Sequence, residues 1–185
     1  MKLIILAVVA VVLIVLILVG VTYNGLVRRR NGADNAWAQV GVQLKRRYDL
    51  IPNLVDTVQG YASHERSVFE EVAQARAAAI NAHGPAAQAQ AENALSGALK
   101  NLFAVAESYP ELKASENFLN LQGELSDTEN RIAYARQYYN DAVMGYNNAT
   151  QTLPTNIVAG LTGFKSRELY DASDTEIGPV RVSFR

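Results

Sequence analysis

The sequence predicts an all-α protein. One N-terminal transmembrane helix precedes an antiparallel bundle of three to four long helices, and an irregular tail follows whose last residues alternate like a short strand. Three observations carry this reading. Residues Leu3 to Thr22 hold no charge, apolar residues from Trp37 to Tyr146 recur at intervals of three and four, and no strand-like alternation occurs before Val180. Residues 1–30 then form the anchor and its basic flank, 31–160 the bundle and 161–185 the tail.

Leu3 to Thr22 comprises seven Val, five Leu, four Ile, two Ala, one Gly and one Thr. Twenty helical residues rise about 30 Å, the thickness of a bilayer's hydrocarbon core. The run is longer than the apolar region of a cleaved signal peptide, and Val19-Gly20-Val21-Thr22-Tyr23 offers no small-x-small cleavage site. An uncleaved anchor is therefore expected, with Tyr23 at the interface. Lys2 precedes the run, whereas Arg28, Arg29, Arg30, Lys45, Arg46 and Arg47 follow it. The excess of positive charge after the span predicts an N-terminus outside and a bundle in the cytoplasm.

Asn31-Gly32 reads as a break, with Asp34 or Asn35 as the next N-cap. Trp37, Val40, Leu44, Tyr48, Ile51, Val55, Val58 and Ala62 then share one helix face. The stripe keeps its phase across Pro52, so a kink is expected there, and the rod is expected to continue through Phe69 and Val72 to about Ala82. His83-Gly84-Pro85 is a turn, with Pro85 suited to the first helical position. The alanine-rich stretch from Ala86 to Tyr109 carries Leu95, Ala98, Leu102 and Val105, and ends at Pro110. A further helix is expected from Glu111 to about Ala149, with Leu112, Leu119, Leu125, Ile132, Ala135, Tyr139, Ala142 and Tyr146 inward, stopping at Leu153-Pro154. Gly160, Gly163, Gly178 and Pro179 punctuate the tail, and Val180 to Phe184 has the period of a strand. That segment is expected to be either a disordered end or one that packs simply on the bundle, or else a strand that pairs outside the chain.

Composition narrows the chemistry. With 17 Lys+Arg against 18 Asp+Glu and a net charge of −1, the chain has no basic excess to offset phosphates, so no nucleic-acid partner is expected. Zero cysteines exclude a disulfide scaffold, a thiolate metal site and a cysteine nucleophile. His64-Glu65 begins a zinc-protease motif, but position 68 is Val68, and His83 is the only other histidine. Neither a nucleophile elbow nor a phosphate loop occurs. No catalytic residue, cofactor site or metal site is expected, and the chain reads as a non-enzyme.

Two polar clusters stand out. In Lys45-Arg46-Arg47-Tyr48-Asp49-Leu50-Ile51-Pro52-Asn53, Arg46 can pair with Asp49 and Asp49 with Asn53. Asn53 can also satisfy a carbonyl freed by Pro52. The second cluster contains Glu129, Arg131, Arg136, Tyr139, Asn140 and Asp141. An antiparallel bundle allows the two to meet, as a buried polar latch or a partner patch. Ordinary helix surface with snorkelling tyrosines is the plainer alternative.

The run Lys45 to Val55, with Gly60-Tyr61-Ala62 and His64-Glu65, closely resembles the signature of the LemA family. Tyr23 to Val27, Glu129 to Ile132, Ala135-Arg136, Tyr138 to Asp141, Tyr146-Asn147 and Gly163-Phe164 match it too, so the resemblance spans essentially the whole chain. It implies a bacterial protein with one membrane helix and a helical bundle assigned to the cytoplasm, and no catalytic residues. One relative takes part in building magnetosome membranes, and genes of the family often neighbour one for a membrane zinc metalloprotease. The leading expectation is therefore a membrane-anchored scaffold that forms homo-oligomers. An adaptor for a membrane metalloprotease is a second. A lipid or ligand sensor, with a polar pocket near Asn53 and Asn140, is a third.

Overall fold

The computed structural model describes residues 1–170, all helix, turn or extended chain without a strand among them. Val180 to Phe184 and the acidic Asp171, Asp174 and Glu176 lie outside the described residues. Six helices run in the order α1 (Lys2–Gln59), α2 (Arg66–Asn81), α3 (Pro85–Glu107), α4 (Pro110–Lys113), α5 (Glu116–Gln151) and α6 (Thr155–Thr162). α1 leads outward from the apolar segment, α2 folds back, α3 runs outward again, and α5 returns along α1. Arg46 opposite Glu124 and Arg29 opposite Gly145 record the antiparallel register of α1 and α5.

α1 is one unbroken helix of 58 residues, about 87 Å long at 1.5 Å per residue. Its apolar start is not buried in the protein at all, which removes the alternative of a soluble core helix. The break expected at Asn31-Gly32 is absent. Ala33 and Ala36 are fully buried, so the helix is already packed where the propensities of Asn and Gly would loosen it.

The expected rod through Ala82 is interrupted instead at Gly60 to Glu65, where the chain turns from α1 into α2. The turn tucks Ala62 into the core, with its amide donating to the Val58 carbonyl at 2.9 Å. Ala62 and Phe69 are seven residues apart, two helical turns, so the apolar stripe stays in phase whether or not the helix is broken. The break falls where Gly60, Ser63, His64 and Glu65 offer no apolar anchor. Pro85 does open α3, after Gly84 at φ 85°. The helix expected from Glu111 is split at Ala114-Ser115, because Leu112 is pulled fully inward by the short α4. This resets the phase, so Phe118 is buried and Leu119 is half exposed.

Pro52 lies inside α1 without ending the helix. Proline has no N–H, so the carbonyl four residues earlier, that of Tyr48, loses its helical donor. Arg76 on α2 supplies a replacement, donating from Nε to the Tyr48 carbonyl at 2.8 Å. Asn53, the expected rescuer, is exposed, and its carbonyl accepts from Thr57 Oγ1 at 2.7 Å.

The replacement predicts coupling between two substitutions. Arg76→Met should destabilise the protein by about 1–2 kcal/mol, because it orphans a half-buried carbonyl. In a Pro52→Ala background the same change should cost clearly less, since alanine at that position restores the helical donor. Denaturation of the four proteins in mild detergent gives the coupling, and equal costs in both backgrounds would contradict it.

Candidate functional site

The first polar cluster closes around a residue that does not belong to it, Glu92 of α3. Gln88, Glu92 and Ser96 are spaced by four and so share one face of the alanine-rich helix. Glu92 is fully buried, and Arg47 is 1% exposed. Arg47 Nη1 donates to Glu92 Oε2 at 2.6 Å, and Nη2 reaches Ser96 Oγ at 2.8 Å and Glu129 Oε1 of α5 at 2.7 Å. The other Glu92 oxygen accepts the Tyr48 hydroxyl. Gln88 Nε2 donates to the Tyr48 hydroxyl at 2.9 Å and to the Ala79 carbonyl of α2 at 3.0 Å. One buried carboxylate thus joins α1 to α3, and its immediate partners extend the network to α2 and α5.

Both oxygens of Glu92 are engaged by fixed donors, so the group is arranged as a latch. Burial, then the hydrogen bond to Glu92 and its charge, push the Tyr48 phenol well above its ordinary range. Of the two clusters, Arg47 and Tyr48 of the first meet Glu129 of the second in this network. It does not extend to their neighbours. Arg46 turns to Glu124 at 3.9 Å rather than to Asp49. Asp49, Pro52, Asn53, Arg131 and Asp141 are exposed. Among the described residues no pocket joins Asn53 and Asn140, since the first faces solvent and the amide of the second is committed elsewhere.

Asn140 belongs to a second device, which holds the chain after α6. Gly163, at φ 77°, takes the left-handed conformation that turns the chain back along α5. Asn147 then brackets the Arg167 backbone, accepting its N–H and donating to its carbonyl, both at 2.8 Å. Asn140 brackets Tyr170 the same way, at 2.8 and 3.0 Å. Tyr146 and Tyr139 donate to the carbonyls of Lys165 and Glu168, each at 2.9 Å. The spacing explains the repeat. Seven helical residues rise about 10.5 Å, and three extended residues span about 10 Å, so Tyr-Asn dipeptides two turns apart meet backbone three residues apart. Trp37 packs against Tyr139 and Tyr170, with ring centroids 5.1 and 6.1 Å away, and the Arg136 guanidinium lies 4.6 Å from the centre of the Tyr170 ring.

Sequence reasoning missed Glu92, Gln88, Arg76 and Tyr170. For the first two a signal existed: polar residues at fours inside an alanine-rich helix mark a buried polar stripe. His64 and His83 are both exposed in turns, and among the described residues no group of three or more His, Asp or Glu is placed to hold a metal ion.

Three outcomes follow from this geometry. Glu92→Leu should cost about 3 kcal/mol of stability, the scale for breaking a buried pair from one side, while Arg47→Met with Glu92→Leu should cost less than the two singles summed. A strictly additive pair would contradict the latch. The amide of Arg167 should exchange slowly with solvent, and Asn147→Ala should speed it about fivefold or more, one such bond being worth on the order of 1 kcal/mol. Tyr48, Tyr139 and Tyr170 are all raised, chiefly by burial. Above about pH 10 the unfolded chain releases phenolic protons that the fold retains. Their contribution is thus complete below that pH and lost as pH rises; a shallower alkaline decline in Tyr48→Phe checks it.

The sequence has relatives. The magnetosome protein MamQ of Magnetospirillum gryphiswaldense is 27% identical over 184 residues, covering 84% of this chain and 68% of its own length. MamQ 1 of Paramagnetospirillum magneticum is 28% identical with the same coverage. Protein LemA of Metamycoplasma hominis is 28% identical over 164 residues, covering 86% of this chain and 74% of its own. The model of the LemA family matches residues 36–184, from the second buried alanine of α1 into the tail. A match over that much of the sequence means that this chain belongs to the LemA family.

Proposed function

We propose that the protein is a non-enzymatic, membrane-anchored scaffold that self-associates and organises the membrane it sits in. The observation that carries this reading is the unbroken α1. A span continuous with the bundle's core helix holds the bundle in the same orientation relative to its span in every copy. Side-by-side association then requires little further ordering, and a shared membrane plane raises the local concentration.

A strip suited to such contact lies along the α1–α5 seam. Val42, Tyr134 and Tyr138 are 64%, 74% and 56% exposed around a groove that Gln39 and Arg131 also line. Tyr134 is about 140° around α5 from Glu129, so the strip lies well away from the side that the latch closes with α3. Aromatic and arginine side chains are the types enriched at interface centres. The names of the MamQ relatives place those proteins at the magnetosome, a role that fits membrane organisation here. The arginines after the span favour an N-terminus outside and a cytoplasmic bundle in a bacterial inner membrane.

The test is the oligomeric state of the full-length protein in nanodiscs and native membranes. The scaffold reading expects an assembly of uniform size, dispersed by Tyr134→Lys with Tyr138→Lys while helicity is kept. A monomer under both conditions would overturn it and turn the search to a client or partner such as a membrane metalloprotease.

A further inference from the structure

We propose that α6 is an interfacial foot, seated in the headgroup and upper acyl layer of the same bilayer that α1 crosses. The inference rests on reading Leu3 to Thr22 as a membrane span.

Residues Leu153 to Phe164 carry no charged side chain, in a chain that is 19% charged overall. α6 is apolar on two sides. Val158 and Ala159 are buried against Leu26 of α1. Ile157 and Leu161, four residues apart and thus along one face, are 57% and 84% exposed, and Leu153 in the turn just before α6 is 75% exposed. None of the described residues of the bundle covers them.

Position identifies the occupant. Leu26 is four residues past Thr22, where the apolar run ends, so α6 packs about 6 Å beyond the hydrocarbon boundary. The headgroup layer on each side of a bilayer is about 5–7 Å thick, so α6 lies within it. Its surroundings are those of an interface. Tyr23 meets the Phe164 ring edge-on at 5.7 Å, the Arg30 guanidinium lies 5.2 Å from that ring's centre, and Arg28 and Arg29 flank the same level as partners for lipid phosphates. An uncharged helix with an exposed leucine–isoleucine stripe would be a liability at this height in water; in the acyl–headgroup boundary the stripe is solvated by lipid. With α1 unbroken, the foot also gives the rod a second point of attachment, which sets its tilt.

The chain has no cysteine, so single environment-sensitive fluorophores can be placed on the full-length protein. The probes are Ile157→Cys and Leu161→Cys on the foot, Leu13→Cys in the span and Tyr134→Cys on the bundle, in phosphatidylcholine/phosphatidylglycerol nanodiscs containing lipids spin-labelled both high on the acyl chain and near its end. The foot predicts loss of most of the emission at 157 and 161, strong loss at 13, and little at 134. Emission at 157 and 161 matching that at 134, with 13 still quenched, overturns the foot and leaves the span intact. No quenching at 13 overturns the span reading, and the foot with it. Shielding at 161 that follows the number of copies per disc and ignores the spin-labelled lipid assigns the stripe to a second copy and overturns the proposal.

Discussion

The structure depends on a carboxylate that has no access to water. Glu92 is fully buried, and the three groups that make this tolerable come from α1 and α3: Arg47, Tyr48 and Gln88. A buried ion pair is a weak source of net stability, since desolvating both charges offsets most of their attraction. Its effect is on register. Sliding α3 by one turn, or rotating it, would strand Glu92 in apolar surroundings, with an uncompensated Arg47 opposite. Only one arrangement of the four helices satisfies Glu92, Arg47, the Ala79 carbonyl and Glu129 together. Alanine-rich faces pack smoothly and discriminate poorly among neighbouring registers, so a polar key is a physical answer to that ambiguity.

Tyr48 shows how closely such a key is coupled to backbone geometry. Its hydroxyl belongs to the latch and its carbonyl is the one that Pro52 deprives of a donor. The guanidinium that replaces that donor comes from α2, so the proline converts an internal helix bond into a bond between helices. Arg47, Tyr48 and Pro52 thus act at neighbouring levels of the bundle: Arg47 binds α3 and α5, Tyr48 binds α3, and Pro52 leaves the carbonyl that α2 binds.

Much of this was legible in the sequence. The uncharged run, the stripe from Val40 to Val58, the turn at Gly84-Pro85 and the inward face of Ile132, Tyr139 and Tyr146 follow from helical period and glycine or proline chemistry. The failures at Asn31-Gly32 and at Gly60 to Glu65 have one cause. At Asn31-Gly32 local propensity favours a break, but burial of Ala33 and Ala36 overrides it; at Gly60 to Glu65 the period runs on while the chain turns. Periodicity reports which face is buried and is silent on whether the helix between two buried residues is whole. The latch was half visible, as Arg47 and Tyr48. Glu92 lay in a helix whose alanines pointed to close packing instead. The tail ladder was hidden because a side chain bonded to extended backbone leaves no periodic trace in the segment it holds.

Continuity of α1 gives these local devices a wider consequence. The latch fixes α2 and α3 on α1, the asparagine ladder fixes the returning chain on α5, and α1 carries the whole body on the apolar segment without a hinge. The direct measurement is the distance between spin labels at Val12→Cys and Val42→Cys, both exposed on α1, in nanodiscs with the labelled protein diluted into unlabelled copies so that only distances within one chain are read. Thirty residues of unbroken helix predict one narrow distribution centred near roughly 45 Å. A broad or clearly shorter distribution would place a joint near Asn31-Gly32 and contradict the rigid coupling of bundle to membrane.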